Sequence, residues 1–263
     1  MPVRKPYPLS KEQIRLYREN GFVALPDVLE REEVRALRRI LTGAVRDRKR
    51  KHADGLIQTN PRYEKVFAQM VNLWEDYEEF RPFILNSRLA DIARRLVGCR
   101  SIRLWHDHAL IKPPFDGAPT PWHQDFPYWP MKEPGALSCW LALDDVDESN
   151  GCMSFVPGTH RLGALAPVSL THPSSLFKVA GLDRREHRPT IVRLKAGSCT
   201  FHDGNTFHHA GPNRSAKPRR ALAIIYMPAG VTYDGKPHCV TDGCGLRVGG
   251  RFSGKRFPVL ARS

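Results

Sequence analysis

Around Gly98 the pattern of the chain changes, and that change limits the folds open to it. Beyond it come short apolar runs at 102–111, 137–143, 152–156, 190–194, 198–202 and 220–227. Turn signals punctuate them: Pro113-Pro114, Asp116-Gly117, Pro134-Gly135, Asn150-Gly151 and Pro157-Gly158. Many short strands joined by such turns predict a β-sandwich or jelly roll, not a parallel α/β sheet. Before Gly98 the apolar period is helical. Ser10-Lys11-Glu12-Gln13 has capping-box form and opens a short helix reaching Tyr17 and Asn20. Val34, Leu37, Ile40, Leu41 and Val45 form the stripe of a second helix beginning near Glu30. Leu89, Ile92, Leu96 and Val97 belong to a third, which Gly98 stops. Some helix is also expected around 63–73. The expectation is one domain: residues 1–98 mainly helical, 99–230 a β core, and 231–263 a Gly-rich basic tail with no assignable element.

A chain of 263 residues buries a substantial core. The start, Met-Pro-Val-Arg-Lys-Pro, has no apolar stretch behind its charges, and no run approaches the roughly 20 residues that span a bilayer. The expectation is a soluble, cytoplasmic protein without membrane contact. None of the six cysteines forms a C-x-x-C pair, which predicts reduced thiols. The net charge of +14 raises the question of nucleic acid. Its one dense run, 46–52, follows a helical pattern and lacks interleaved aromatics, so it reads as a solvated helix end. Attraction for an anionic small-molecule substrate suits the charge better.

The most informative segment is Thr120-Pro-Trp-His-Gln-Asp-Phe-Pro-Tyr-Trp-Pro130. In an extended chain residues i and i+2 face the same way, so His123 and Asp125 point together and Gln124 turns aside. One imidazole and one carboxylate on one side are two-thirds of the facial triad of non-haem iron(II) oxygenases. With 11 histidines in the chain, chance alone supplies roughly 0.6 such spacings, so the motif needs support. A second segment, 201–226, runs Phe-His-Asp-Gly-Asn-Thr-Phe-His-His-Ala-Gly-Pro-Asn and on through Arg219 into an apolar strand.

Here the chain resembles the phytanoyl-CoA dioxygenase family. That family's pattern is a distal metal histidine, an Asn five residues on and an Arg eleven residues on, matched by His208, Asn213 and Arg219. The likeness extends to Lys112-Pro113-Pro114, Trp122-His123-Gln124-Asp125, Ser138–Leu143 with Asp144-Asp145, and Asn150-Gly151-Cys152-Met153 through Arg161, roughly 103–228 in the right order. The resemblance implies a double-stranded β-helix, a jelly-roll barrel of cupin type, with the N-terminal helices outside. It implies Fe(II) held by His123, Asp125 and His208, with 2-oxoglutarate and O2 as cosubstrates. Arg219 would hold the 2-oxoglutarate C5 carboxylate, a task suited to a planar guanidinium that stays charged when desolvated. Trp140 and His108 match positions lining the cosubstrate pocket, His108 sharing a strand face with His106 and Leu104. Ala210 stands where family members often have a serine that assists the arginine. Related halogenases have Gly or Ala in place of the metal carboxylate, so Asp125 points to hydroxylation or a related oxidation of an aliphatic carbon, with release of succinate and CO2.

Other readings stay open at this point. His106 and His108 are structural histidines, or a cupin-like metal pair. His209 competes with His208 but would shift the Asn and Arg spacings by one. His202 and Asp203, being adjacent, face opposite sides and support the mouth of the site. His160-Arg161 reads as a structural signature. Trp122, Phe126, Tyr128 and Trp129 are core or pocket wall. A cupin-like enzyme working without 2-oxoglutarate, and a catalytically silent jelly roll, remain as alternatives.

Overall fold

The computed structural model describes residues 6–53, 70–168 and 176–263. Its helices are α1 (Lys11–Asn20), α2 (Arg31–Ala53), α3 (Leu73–Asp76), α4 (Arg81–Ile84), α5 (Ser87–Val97) and α6 (Leu176–Val179). The capping box at Ser10 forms, with Gln13 N–H donating to its hydroxyl and its own N–H donating to the Gln13 side chain. Gly98, at φ 79°, ends α5 in a left-handed conformation that a side chain would resist. The basic run at 46–52 is the last part of α2, as its period predicts. The helix expected around 63–73 falls largely outside the described residues.

Ten strands follow the expected grammar and add to it: β1 (Phe22–Leu25), β2 (Ser101–Lys112), β3 (Thr120–His123), β4 (Leu137–Ala142), β5 (Met153–Phe155), β6 (Thr190–Val192), β7 (Cys199–Asp203), β8 (His208–Ala210), β9 (Arg219–Pro228) and β10 (Val259–Arg262). They make a six-stranded sheet in the order β1-β7-β4-β9-β2-β10 and a four-stranded sheet in the order β3-β8-β5-β6. The paired strands run antiparallel, and the architecture is the double-stranded β-helix. The short strands β1, β3, β8 and β10 carry too little apolar pattern to be read from sequence.

The period of two assigns each face of the larger sheet. Leu137, Cys139 and Leu141 of β4 join Phe201, Leu222, Ile224 and Tyr226 against Leu37, Leu41, Leu89 and Leu96 of the helices. Trp140 and Ala142 turn inward, packing with Phe155, Met153 and Ala210 of the smaller sheet. All of β4 is therefore buried, one face by helices and the other by the opposite sheet. The six cysteines are free thiols. The tail is not loose: Val231, Val240, Phe252 and Phe257 pack on Trp105, Trp129, Ile225 and Met227, and β10 adds to the edge of β2.

One expectation about β2 needs correction. His106 and His108 do share a face, toward the interior, but Leu104 does not join them. The pairing with β9 shifts register between Leu104 and His106, so the residue inserted at Trp105 turns Leu104 onto the helical side. Asp107, between the two histidines, also faces the helices and accepts backbone N–H bonds from Leu73 (3.0 Å) and Trp74 (3.2 Å) at the start of α3. It thus anchors the strand carrying two pocket histidines to the helical layer. Asp107→Ala leaves both buried donors unpaired, and urea denaturation should show a loss of about 1–3 kcal/mol; an unchanged midpoint would remove Asp107 from this role.

Candidate active site

His123 and His208 sit directly opposite each other on β3 and β8, so sheet register alone brings the two imidazoles together, with ring centroids 4.1 Å apart. Asp125 arrives differently from the expectation. The strand stops at His123, and Asp125 adopts helical φ/ψ at the start of a short turn. Its N–H and that of Phe126 both donate to the Gly204 carbonyl, at 2.8 Å each, and this double bond swings the carboxylate back toward the histidines. Gln124 does turn aside, donating to Gly163 and Asn205 carbonyls and accepting from Leu165 N–H. It ties three loops together and has no part in the site.

The donor set fits a cation. His123 Nδ1–H donates to the Pro121 carbonyl (2.8 Å), and His208 Nδ1–H donates to the Thr206 carbonyl (2.9 Å). Each Nε2 is left as a lone pair, and each lies 3.5 Å from the same Asp125 oxygen, Oδ1. Burial lowers the His123 imidazole below its ordinary value, which keeps it neutral. Three ligand atoms thus converge within 4.8 Å of one another, without a proton to share. A divalent metal resolves that arrangement, and the tautomers are already set for it.

The other oxygen, Asp125 Oδ2, is held by the Ser138 hydroxyl at 2.9 Å, and His202 Nε2 lies 3.4 Å from it. His202, buried to 2% exposure, has neither ring nitrogen in a hydrogen bond. Asp203 turns away and accepts from Asn205 N–H, so the adjacent pair splits as its strand period requires. Ser138 was missed by sequence reading. The signal was available, since the period of two along β4 puts it on the same inward face as Trp140.

Arg219 is 3% exposed, and burial lowers it to about 10. It donates to the Leu110 carbonyl at 3.0 Å, its Nε has no partner, and its guanidinium lies 5.3 Å from the Trp140 ring centre. No carboxylate lies within ion-pair distance of it among the described residues. A buried guanidinium facing a cavity has the charge and geometry to receive a carboxylate. Asn213, fully buried, donates to the carbonyls of Lys112, Pro113 and Lys217, which fixes the turn that delivers Arg219 to the start of β9. Ala210 and Thr120 face each other across β3 and β8 and line the same cavity.

The cavity, of about 200 Å³, is lined by all six residues assigned to metal and cosubstrate from sequence: His123, Asp125, His208, Arg219, Trp140 and His108. The aromatic quartet divides. Tyr128 and Trp129 line the cavity, Phe126 packs in the core, and Trp122 stacks on His209 on the opposite side of the smaller sheet, 5.1 Å between centroids. His209 therefore points away from the metal donors. His160 hydrogen-bonds the Arg18 carbonyl and is structural. Sequence reading missed His238 and Cys239, cavity residues from the tail, which no pattern placed.

Comparison with known proteins agrees with this geometry. The family model of phytanoyl-CoA dioxygenase matches residues 17–221. The peroxisomal phytanoyl-CoA dioxygenase of Bos taurus is 28% identical over 86% of this chain and 70% of its own length. The ectoine dioxygenase of Bordetella parapertussis (strain 12822) is 31% identical over 83% of this chain and 75% of its own. Among solved structures, the non-haem α-ketoglutarate-dependent carbocyclase SnoK from nogalamycin biosynthesis superposes with TM-score 0.78 at 30% identity, covering 98% of this chain and 100% of SnoK. The epimerase SnoN, solved with Fe3+, α-ketoglutarate and nogalamycin RO, gives 0.72 at 28% identity, covering 95% and 98%.

The buried imidazoles carry a pH signature. Burial, reinforced by His238 and His108, pushes His106 from 6.5 down to about 3. The unfolded chain takes up that proton below 6.5 and the folded chain does not, so stability falls as pH drops from 6.5 toward 3. Between pH 7 and pH 5 the metal-free wild type should lose about 2 kcal/mol more than His106→Leu in urea denaturation. Parallel losses in the two proteins would show that His106 does not stay neutral.

Proposed function

The chain belongs to the phytanoyl-CoA dioxygenase family, a group of iron- and 2-oxoglutarate-dependent oxygenases, and we propose that it hydroxylates an aliphatic carbon of a small molecule. The observation that carries this reading is the pairing of two sites in one cavity: the three-donor cluster of His123, Asp125 and His208, and the buried Arg219, whose Nε has no partner and which meets no carboxylate among the described residues. In this reading those three residues hold Fe(II), and Arg219 takes the C5 carboxylate of 2-oxoglutarate. When bound, the metal with its cosubstrates supplies the oxidant: substrate, O2 and 2-oxoglutarate become hydroxylated product, succinate and CO2.

The protein's part is placement. Ser138 engages Oδ2 and leaves Oδ1 facing the two Nε2 atoms, which favours one-oxygen ligation by Asp125 and keeps the remaining metal positions open. The Nδ1–H bonds of His123 and His208 keep both rings in their ligating tautomers. Trp140 lies against the guanidinium and orients it. Thr120, opposite Ala210, brings a hydroxyl to the same cavity. The apolar wall of Ala223 and Ile225 excludes water from the reacting carbon.

A second reading, oxidative ring closure or epimerisation, is favoured by the likeness to SnoK and SnoN over nearly the whole chain. Product mass separates them: hydroxylation adds one oxygen, ring closure removes two hydrogens, and epimerisation changes nothing.

Under nitrogen, Fe(II) with 2-oxoglutarate should give the wild type a weak visible charge-transfer band. His123→Ala should abolish it. Arg219→Leu should keep Fe(II) binding while raising the 2-oxoglutarate needed for half-maximal band by about 100-fold, the scale of a lost buried charge-assisted bond. A wild type without the band, or an Arg219→Leu protein with unchanged 2-oxoglutarate affinity, would refute the assignment.

A further inference from the structure

His202 lines the cavity at 2% exposure, yet neither of its ring nitrogens has a hydrogen-bond partner. Two unmatched polar atoms on one buried side chain are costly, and an apolar residue of the same size would suit the fold better. The ring is held in place by its neighbours. Phe155 lies 5.2 Å and His208 4.6 Å from it between centroids, and Phe22, opposite His202 on β1, stacks on Phe155 at 4.6 Å. Core packing alone gives no reason for an imidazole here, so the reason lies in the site.

His202 stands directly opposite Ser138 in the β4–β7 ladder, so the two side chains project together into the cavity. Both reach the same atom, Asp125 Oδ2, the Ser138 hydroxyl at 2.9 Å and His202 Nε2 at 3.4 Å. A carboxylate oxygen only accepts, so the ring presents Nε2–H to it and not a lone pair. Two residues on, the Gly204 carbonyl receives the N–H groups of Asp125 and Phe126. The stretch from His202 to Gly204 therefore meets one aspartate by side chain and by main chain. Asp125 needs that support, because it stands on a turn and not on a strand. A role as fourth metal donor does not fit. Among the described residues, the donors that converge within 4.8 Å are His123, Asp125 and His208, without His202.

We propose that His202 is a positioning residue for the metal site: its Nε2–H, together with the Ser138 hydroxyl, clamps Oδ2 of Asp125 and reserves Oδ1 for the cation. The inference rests on the metal part of the reading above. A clamp built from two neighbouring strands sets the carboxylate as a one-oxygen ligand before the metal arrives, which leaves less to order on binding. The metal-free fold bears the consequence, since it keeps an unmatched Nδ1 and a long Nε2 contact. Replacing the imidazole by an apolar ring therefore weakens the metal site without weakening the fold.

The test titrates the metal-free chain with Co(II), whose visible bands report coordination, in the absence of 2-oxoglutarate. His202→Phe should bind Co(II) about 10–100-fold more weakly than the wild type, the usual scale for losing a partner of a metal ligand. Its bands should differ from those of the wild type, while its metal-free urea midpoint stays level or rises. His202→Gln, whose amide N–H stands in for Nε2–H, should recover most of the affinity and the wild-type bands. Should His202→Phe not fold, the wild type decides through nitrogen-15 spectra of its histidine rings, with His202 identified by its loss in His202→Gln. These should show the proton on Nε2 and none on Nδ1. Wild-type Co(II) affinity in His202→Phe, a urea midpoint that falls along with the affinity, a loss as large in His202→Gln, or a protonated Nδ1 beside a bare Nε2 would overturn the proposal. A wild type that still gives the Fe(II)–2-oxoglutarate band alongside any of these separates its failure from that of the oxygenase reading.

Discussion

Three electron-pair donors are pressed into one dry space with no proton between them, and the rest of the molecule is organised around that repulsion. Two neutral imidazoles offer lone pairs to the same carboxylate oxygen, Oδ1 of Asp125. In a folded chain such an arrangement persists only when backbone and packing over-determine it, or when a cation completes it. The first condition is met here, and the donors are placed for the second. Carbonyls of Pro121 and Thr206 fix the ring tautomers, the Gly204 carbonyl fixes the turn at Asp125, and Ser138 occupies the second carboxylate oxygen. Gly204 has no room for a side chain: a Cβ there would meet Trp129 at 2.7 Å.

Arg219 presents the complementary problem, a buried positive charge without a counter-ion among the described residues. Its position follows from Asn213, whose amide ties three carbonyls and closes the turn between β8 and β9. The cluster and the guanidinium therefore belong to one continuous stretch of backbone, from His208 to Arg219. Under the proposed function, that stretch lets a metal chelate and the distant carboxylate of one small diacid be met together.

Much of this was legible in the residues. The change of period at Gly98, the capping box at Ser10 and the turn signals between strands are local, and local physics decides them. The candidate donors were legible mainly through the family resemblance, since His208 with Asn213 and Arg219 matches a pattern within one loop. His123 with Asp125 was found on a partly mistaken premise, since the strand ends between them and a hydrogen-bonded turn aims the carboxylate. Leu104 was misplaced because a one-residue bulge leaves no trace in an apolar pattern. Ser138 could have been found from the period of β4. His238 and Cys239 could not, because their place depends on Val231, Val240, Phe252 and Phe257 docking over Trp105, a tertiary event with no periodic signature. Of the basic residues behind the net charge, one, Arg219, is among the described residues lining the cavity.

The most direct measurement is an anomalous-difference map from crystals grown with Fe(II) under nitrogen. This account predicts one strong peak about 2 Å from His123 Nε2, His208 Nε2 and Asp125 Oδ1 together, since coordinating atoms lie at that distance. A peak elsewhere in the cavity, or no peak among those three atoms, would contradict it.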